Sequence, residues 1–213
     1  MDARQRQGGL DQARPVAVNT SVRCLDPAAP SGEAFGGGRS DTVSAVAKPL
    51  DLPFDPIERA GETWERTWGP ASAMRVATSV MRVQQILLAR YDEVLRPHGL
   101  TFARYEALVL LRFSRTGALP LKVIGSRLMV HPTSVTNAIG RLAAAGLVER
   151  EANPDDRRGV LARITAHGRE VVEAATKDLM AIDFGLGGLD EEARAAAFEA
   201  LRAVRAEAGD FTA

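Results

Sequence analysis

Hydrogen-bonding and basic side chains are concentrated between positions 131 and 158 of this 213-residue sequence. An asparagine can form two hydrogen bonds with adenine, an arginine can do so with guanine, and a threonine methyl group can pack on thymine. Hydroxyl groups also bind phosphate oxygens. The groups of this kind in the first part of the stretch are His131, Thr133, Ser134, Thr136, Asn137 and Arg141. These residue types favour contact with double-stranded DNA.

Two adjacent arginines, Arg157 and Arg158, form the second part of this stretch. They follow Asn153-Pro154-Asp155-Asp156, which is typical of a turn. Alternating or apolar residues at 147–150 and 160–164 predict a strand on each side of that turn. An arginine at the tip of such a hairpin can enter a narrow minor groove, where the negative potential is enhanced.

A structural role is the alternative for some of these residues. His131 could act only as a helix cap, and Asp155 or Asp156 could only hold Arg157 in an ion pair. The order of the segments therefore carries more weight than any single residue.

Two short helices must position the polar residues. Pro120 suits the first turn of a helix that ends near Met129, and Pro132 suits the first turn of a helix that reaches Ala145, before Gly146. The face of the second helix opposite the polar residues is apolar, with Val135, Ala138, Ile139 and Leu142 at core spacing. Two helices followed by a hairpin, over about forty-five residues, predict a winged helix-turn-helix that enters the major groove and reaches an adjacent minor groove.

Longer amphipathic helices are predicted on both sides of this unit. One runs over 72–96 with an apolar stripe, and a second runs over 100–115. A helix from 165 or 166 to about 184 follows the hairpin, and a last helix begins after Asp190, its predicted N-cap, and ends near Gly209. The predicted fold class is mostly α with a small β-wing, in which long N- and C-terminal helices flank the winged helix-turn-helix.

Charge and composition exclude several other classes of protein. The chain has 27 basic and 27 acidic residues, but residues 121–170 are basic and residues 171–213 are acidic. The single cysteine, Cys24, excludes a disulfide framework and a multi-cysteine metal site. Neither a secretory signal nor a run of 18 apolar residues is found, which makes the cytoplasm the default location and predicts no membrane partner. The sequence has no motif typical of a catalytic, metal or cofactor site, so we expect no enzyme and no cofactor.

The stretch from His131 to Glu170 resembles the MarR family of bacterial transcriptional regulators, and the resemblance extends over Arg75 to Ala208. The matching motifs are Ser134-Val135-Thr136, Leu142 to Val148, Asp155-Asp156-Arg157-Arg158 and Ile164-Thr165-Ala166-His167-Gly168. The family often has glycine and serine where Met129 and His131 stand here. Methionine would be strained in that turn if its φ were positive.

This resemblance implies a homodimer that binds a pseudo-palindromic operator, usually as a ligand-responsive repressor. With the residue patterns, it predicts a disordered tail (1–55), a short extra helix (56–71), a dimerisation helix (72–100), the winged helix-turn-helix (101–166) and C-terminal dimerisation helices (167–213). The alternative is a winged-helix protein-interaction module without specific DNA binding. Asn137, Arg141 and the two wing arginines favour DNA over that alternative.

Family members commonly release DNA when a small aromatic or anionic effector binds between the dimerisation helices and the DNA-binding unit. The residues that we place near such an effector are Trp64, Trp68, Arg90, Tyr105 and Glu106. The alternative is that these are core and surface residues without a ligand, and we expect the two tryptophans to bury against the body of the protomer. Peroxide sensing is disfavoured because Cys24 lies in the predicted tail.

Overall fold

The computed structural model describes residues 51–154 and 156–212, and of Arg157 and Arg158 it describes the backbone alone. Residues 1–50 of the predicted tail, Cys24 among them, lie outside the described residues. The helices of the described chain are α1 (Pro56–Thr67), α2 (Ser72–Leu95), α3 (Phe102–Phe113), α4 (Leu121–Leu128), α5 (Pro132–Ala144), α6 (Ala166–Ala181) and α7 (Glu191–Glu207). The strands are β1 (Ala118–Pro120), β2 (Val148–Asn153) and β3 (Asp156–Ile164).

The three strands form an antiparallel sheet in the order β1-β3-β2. The predicted hairpin forms its larger part, with Val148 opposite Ile164. The third strand, β1, was not predicted; it pairs Leu119 with Ala162 and ends at Pro120, which caps α4 instead of lying in its first turn. This strand ties the segment before α4 to the base of the hairpin, so that helices and wing form one unit.

The core lies between the helix-turn-helix, the sheet and α6. Its largest fully buried side chains come from the five helices α2 to α6: Leu95, Leu108, Leu111, Ile124, Ile139, Leu142, Val172 and Leu179. The burial of each such side chain contributes roughly 1.5–3 kcal/mol to folding. The same contacts fix the helix that carries the predicted DNA-contacting residues.

Helix α6 ends three residues earlier than the sequence pattern predicts. Asp183 and Phe184 both have φ 49°, and Gly185 has φ 76°, so the backbone leaves the right-handed helical conformation there. The hydroxyl of Tyr91 on α2 donates to the carbonyl oxygen of Phe184 at 2.7 Å, and the two rings pack edge to face. This contact fixes the bend that separates α6 from α7.

Two of the long helices leave apolar faces exposed in the protomer. Within the 24 residues of α2 only Tyr91 and Leu95, near its end, are buried, and α7 has no buried residue. The exposed apolar side chains of α2 are Val76, Val80, Met81, Val83, Ile86 and Leu88, and those of α7 are Phe198, Leu201 and Val204. Apolar surface of this extent is typical of a protein interface.

Candidate nucleic-acid interface

Helix α5 separates a buried apolar face from an exposed polar one. Val135, Ile139 and Leu142 are at most 3% exposed and pack into the core. All six side chains that the sequence predicts to contact DNA on this helix are exposed: His131, Thr133, Ser134, Thr136, Asn137 and Arg141. The structure therefore brings these six side chains together on the surface of one helix and its cap.

The start of α5 is defined by two local features. Pro132 occupies the first turn, where its missing N–H leaves no hydrogen bond unmade. The ring of His131 caps the helix, because its Nδ1 accepts the backbone N–H of Thr133 at 3.2 Å. His131 therefore does cap α5, and its ring also remains exposed beside the polar face of this helix.

The hydroxyl group of Thr136 already donates a hydrogen bond within the helix. Its Oγ1 donates to the carbonyl oxygen of Pro132 at 3.0 Å, one turn earlier. The methyl group and the oxygen lone pairs are what this exposed side chain offers to another molecule, and a thymine methyl group is a suitable partner.

The turn between α4 and α5 is closely packed. Helix α4 ends at Met129, which has φ 53° and ψ 38°, and the N–H of Val130 bonds the carbonyl oxygen of Gly125 at 3.1 Å. A Cβ on Gly125 would lie 3.2 Å from Cγ2 of Val135, so this glycine lets α4 approach α5. The positive φ at Met129 is the strained turn that the sequence raised as a possibility.

A three-way contact of Arg163 holds the wing. Its Nε and Nη2 donate to the two carboxylate oxygens of Glu151 at 2.6 and 3.0 Å, and its Nη1 donates to the carbonyl oxygen of Thr116 at 3.0 Å. The sequence analysis missed this pair. Opposite charges on the two predicted strands were the available signal, but the diagonal contact depends on the strand register. Arg157 and Arg158 lie at the start of β3, and their side chains are outside the description.

Basic groups also meet between α3 and α5. Arg104 of α3 is half-buried, and burial together with the charge of Arg141 lowers its pKa, while Asp92 acts in the opposite direction. Its Nε donates to Oγ1 of Thr101 at 3.2 Å. The charge of Arg141 thus acts on Arg104, so two basic residues lie near each other at the end of α5.

The residues predicted for an effector lie on three different helices. Trp64 of α1 and Trp68, the residue that follows α1, pack edge to face with ring centroids 4.7 Å apart, and Trp68 is 71% exposed. The expectation that the tryptophans bury against the body of the protomer is therefore wrong, because α1 packs mainly on α2 and presents this pair outward. Arg90 is exposed on α2.

Tyr105 and Glu106 lie on α3 in different surroundings. Tyr105 is buried, and its hydroxyl shares a hydrogen bond of 3.0 Å with Oγ1 of Thr176 on α6. Glu106 is half-buried, and its burial raises the pKa of the carboxyl group. Tyr105 is thus held by α6, whereas the tryptophan pair is exposed at the end of α1.

Arg75 fastens α1 to α2. Its guanidinium group bonds Glu65 at 2.6 Å and Glu58 at 3.2 Å, and these carboxylates raise the pKa of the arginine. The side chain lies across Gly61, where an added Cβ would overlap it. Glycine at this point lets the arginine cross the helix between its two partners.

Across residues 51–154 and 156–212 we find no cluster of three potential metal ligands. No helix in the same ranges has the length and apolarity needed to cross a membrane. The exposed polar side chains on α5 and the hairpin that follows this helix define a winged helix-turn-helix protein.

Comparison with known proteins identifies the family. The sequence pattern of the MarR family matches residues 98–159. The uncharacterized HTH-type transcriptional regulator YhbI of Bacillus subtilis is 32% identical over 129 residues, which are 61% of this chain and 77% of that protein. The HTH-type transcriptional regulator MhqR of the same organism is 32% identical over 115 residues, 54% of this chain and 78% of that protein.

Solved structures agree with this result. The MarR family regulator Sco5413 of Streptomyces coelicolor is 59% identical with a TM-score of 0.62, over 66% of this chain and 98% of that chain. Sco3205 of the same organism, solved in complex with DNA, is 25% identical with a TM-score of 0.57, over 64% and 88% of the two chains. The chain belongs to the MarR family of transcriptional regulators, as the sequence motifs indicated, and the winged-helix fold is confirmed.

Proposed function

We propose that this regulator is a ligand-responsive repressor that binds a pseudo-palindromic operator as a homodimer. Helix α5 of each protomer enters the major groove, and Arg157 and Arg158 reach the adjacent minor groove. The observation that carries this proposal is the exposed polar face of α5, whose predicted DNA contacts are all accessible while Val135, Ile139 and Leu142 hold the opposite face in the core. The action is binding without catalysis, and it takes place in the cytoplasm, where bacterial DNA lies.

The exposed faces of α2 and α7 support the homodimer. Side chains such as Val76, Met81 and Val204 are each more than 60% exposed in the protomer. A second copy of the chain that covers both faces would remove this apolar surface from water. Two-fold symmetry would then place the two α5 helices about 34 Å apart, one turn of the DNA helix.

The effector is proposed to be a small aromatic or anionic molecule that contacts the region of Trp64, Trp68, Arg90, Tyr105 and Glu106. The aromatic side chains offer stacking surfaces, and the exposed Arg90 offers a bidentate partner for a carboxylate. Half-buried Glu106, with its raised pKa, can donate a hydrogen bond when protonated. A panel of aromatic acids and purines, read by tryptophan fluorescence and by release of DNA, tests this part. Unchanged fluorescence and unchanged DNA binding across the panel would refute it.

A selection from a randomised double-stranded DNA library, followed by gel shifts with random DNA as competitor, tests operator binding. The result expected is a pseudo-palindromic sequence whose complex resists the competitor. Arg141→Ala, on the exposed face of α5, should weaken this complex, whereas Lys177→Ala, which removes one positive charge from α6, should leave it intact. Binding that competitor removes completely would contradict sequence-specific recognition. No binding at low salt would instead favour a protein-interaction module.

A further inference from the structure

Met129 holds a backbone conformation that suits glycine. Its φ of 53° and ψ of 38° lie in the left-handed region, and its N–H closes the end of α4 on the carbonyl oxygen of Gly125. Glycine is the usual residue at such a helix end, because any Cβ there approaches the following carbonyl oxygen. The methionine side chain thus raises the energy of the fold at this point.

Packing within the protomer does not offset that strain. Met129 is 78% exposed, and the next residue, Val130, is 38% exposed. A buried methionine could recover the cost of a strained backbone through burial, but most of this side chain faces solvent. A strained residue without a structural gain is a reason to look for a functional contact.

The position of Met129 indicates which contact this is. It precedes His131, the cap of α5, by two residues, so their Cα atoms are within about 7 Å of each other. It lies in the helix-turn-helix and not on α2 or α7, the helices assigned to the dimer. A partner protomer on those helices therefore does not account for its exposure.

We propose that Met129 packs on the C5 methyl group of a thymine in the operator and is a specificity-determining residue of this regulator. The inference rests on the proposed operator binding. In the major groove thymine presents an apolar methyl group, which the other three bases lack. The flexible thioether side chain adapts to such a target, and the exposed Val130 extends the apolar surface beside it.

A double-mutant cycle, in which one change is a substitution of Met129 and the other removes a methyl group from the DNA, tests this contact. The operator selected by the wild-type protein is prepared with deoxyuridine in place of one thymine at a time in one half-site, which removes the methyl group alone. At one thymine we expect the replacement to weaken wild-type binding about fourfold, as for loss of one buried methyl-sized group. The same replacement should have no effect on Met129→Gly. Met129→Leu, which keeps an apolar side chain, should retain the discrimination.

Thermal unfolding separates this role from a structural one. Met129→Gly should unfold at the same or a higher temperature than wild type, because glycine relieves the left-handed strain. If that variant does not fold, Met129→Asn, which tolerates the same backbone conformation, replaces it in the cycle. Equal effects of every deoxyuridine on wild type and variant would overturn the inference while operator binding stands. A wild-type protein that selects no operator would overturn both.

Discussion

Arg163 holds both carboxylate oxygens of Glu151 across the wing, with N–O distances of 2.6 and 3.0 Å. The third contact of the guanidinium group, to the carbonyl oxygen of Thr116, reaches the loop that precedes β1. One side chain therefore joins β2, β3 and the loop between α3 and β1. This contact holds the base of the wing, and the wing carries the two arginines that we propose to contact the minor groove.

The first prediction concerns this contact. Glu151→Gln should weaken operator binding only slightly, because an exposed ion pair contributes little and this one acts through the position of the wing. Glu149→Gln removes the same charge from the same strand and is the matched control, because Glu149 acts on Arg163 through its charge and Glu151 also through hydrogen bonds. Fluorescence anisotropy with labelled operator measures both variants. Equal gains in affinity for the two variants would show that only the loss of negative charge matters.

The second prediction is a pH dependence of stability with opposite signs at two glutamates. Burial raises the pKa of Glu106, so its contribution is fully present at acid pH and is lost as the pH rises through the raised pKa. Glu106→Gln should therefore raise the urea midpoint at pH 7 and have little effect at pH values below the ordinary pKa of the carboxyl group.

Glu151 provides the contrast in the same experiment. The hydrogen bond from Arg163 lowers its pKa, so its contribution is present at neutral pH and is lost as the pH falls through that lowered pKa. Glu151→Gln should thus lower the urea midpoint at pH 7 and converge with wild type on acidification. If both variants move the urea midpoint in the same direction at pH 7, burial does not raise the pKa of Glu106 in the way proposed.

The bounds and the buried face of α5 could be predicted from residues that are close together in the sequence. Pro132 and Gly146 bound α5, and the three-to-four spacing of Val135, Ile139 and Leu142 identifies its buried face, because these patterns depend on near neighbours. Strand β1 was missed because three residues are too few for a periodic pattern, and it exists only through pairing with β3.

Features that depend on distant contacts were not predictable in this way. The early end of α6 is stabilised by the hydroxyl of Tyr91, 93 residues away from Phe184. The pair of Glu151 and Arg163 requires the register of β2 on β3, which shifts between Ala152 and Asn153. The exposure of Trp68 likewise follows from how α1 docks on α2, and spacing along one helix does not reveal it.

The third prediction is that Asn137 reads a base. Asn137→Ala should weaken operator binding by about 1–3 kcal/mol, because a bidentate contact to adenine would be removed. Discrimination between bases should be lost at one base pair of each half-site and unchanged at the others. Competition titrations with operators changed at single positions measure this. The same loss on operator and random DNA would show that Asn137 contacts phosphate only.

The fourth prediction compares two glycines inside helices. Gly140→Ala in α5 has open space around the added Cβ, so it should gain about 1 kcal/mol of stability from helix propensity. Gly61→Ala in α1 should not show this gain in stability, because the new Cβ overlaps Arg75 and displaces it from Glu58 and Glu65.

Two measurements on these variants report their stability and whether α1 stays packed on α2. Thermal unfolding gives the stability, and acrylamide quenching of Trp64 and Trp68 reports whether α1 stays docked. Quenching should increase in Gly61→Ala alone. An equal stability gain in both variants, with unchanged quenching, would show that Arg75 does not hold α1.

The last prediction concerns the exposed face of α7. Val204 is 61% exposed in the protomer, so Val204→Glu would be harmless to a monomer. In the proposed homodimer the new carboxylate would be buried without a partner, which should weaken the dimer about a hundredfold or more. Glu207→Gln, three residues further along the same helix, changes one exposed charge and is the control. Sedimentation over a range of concentrations measures association, and circular dichroism reports the helix content. Because both half-sites must be held together, operator affinity should fall with the dimer; a variant that stays dimeric would exclude this face of α7 from the interface.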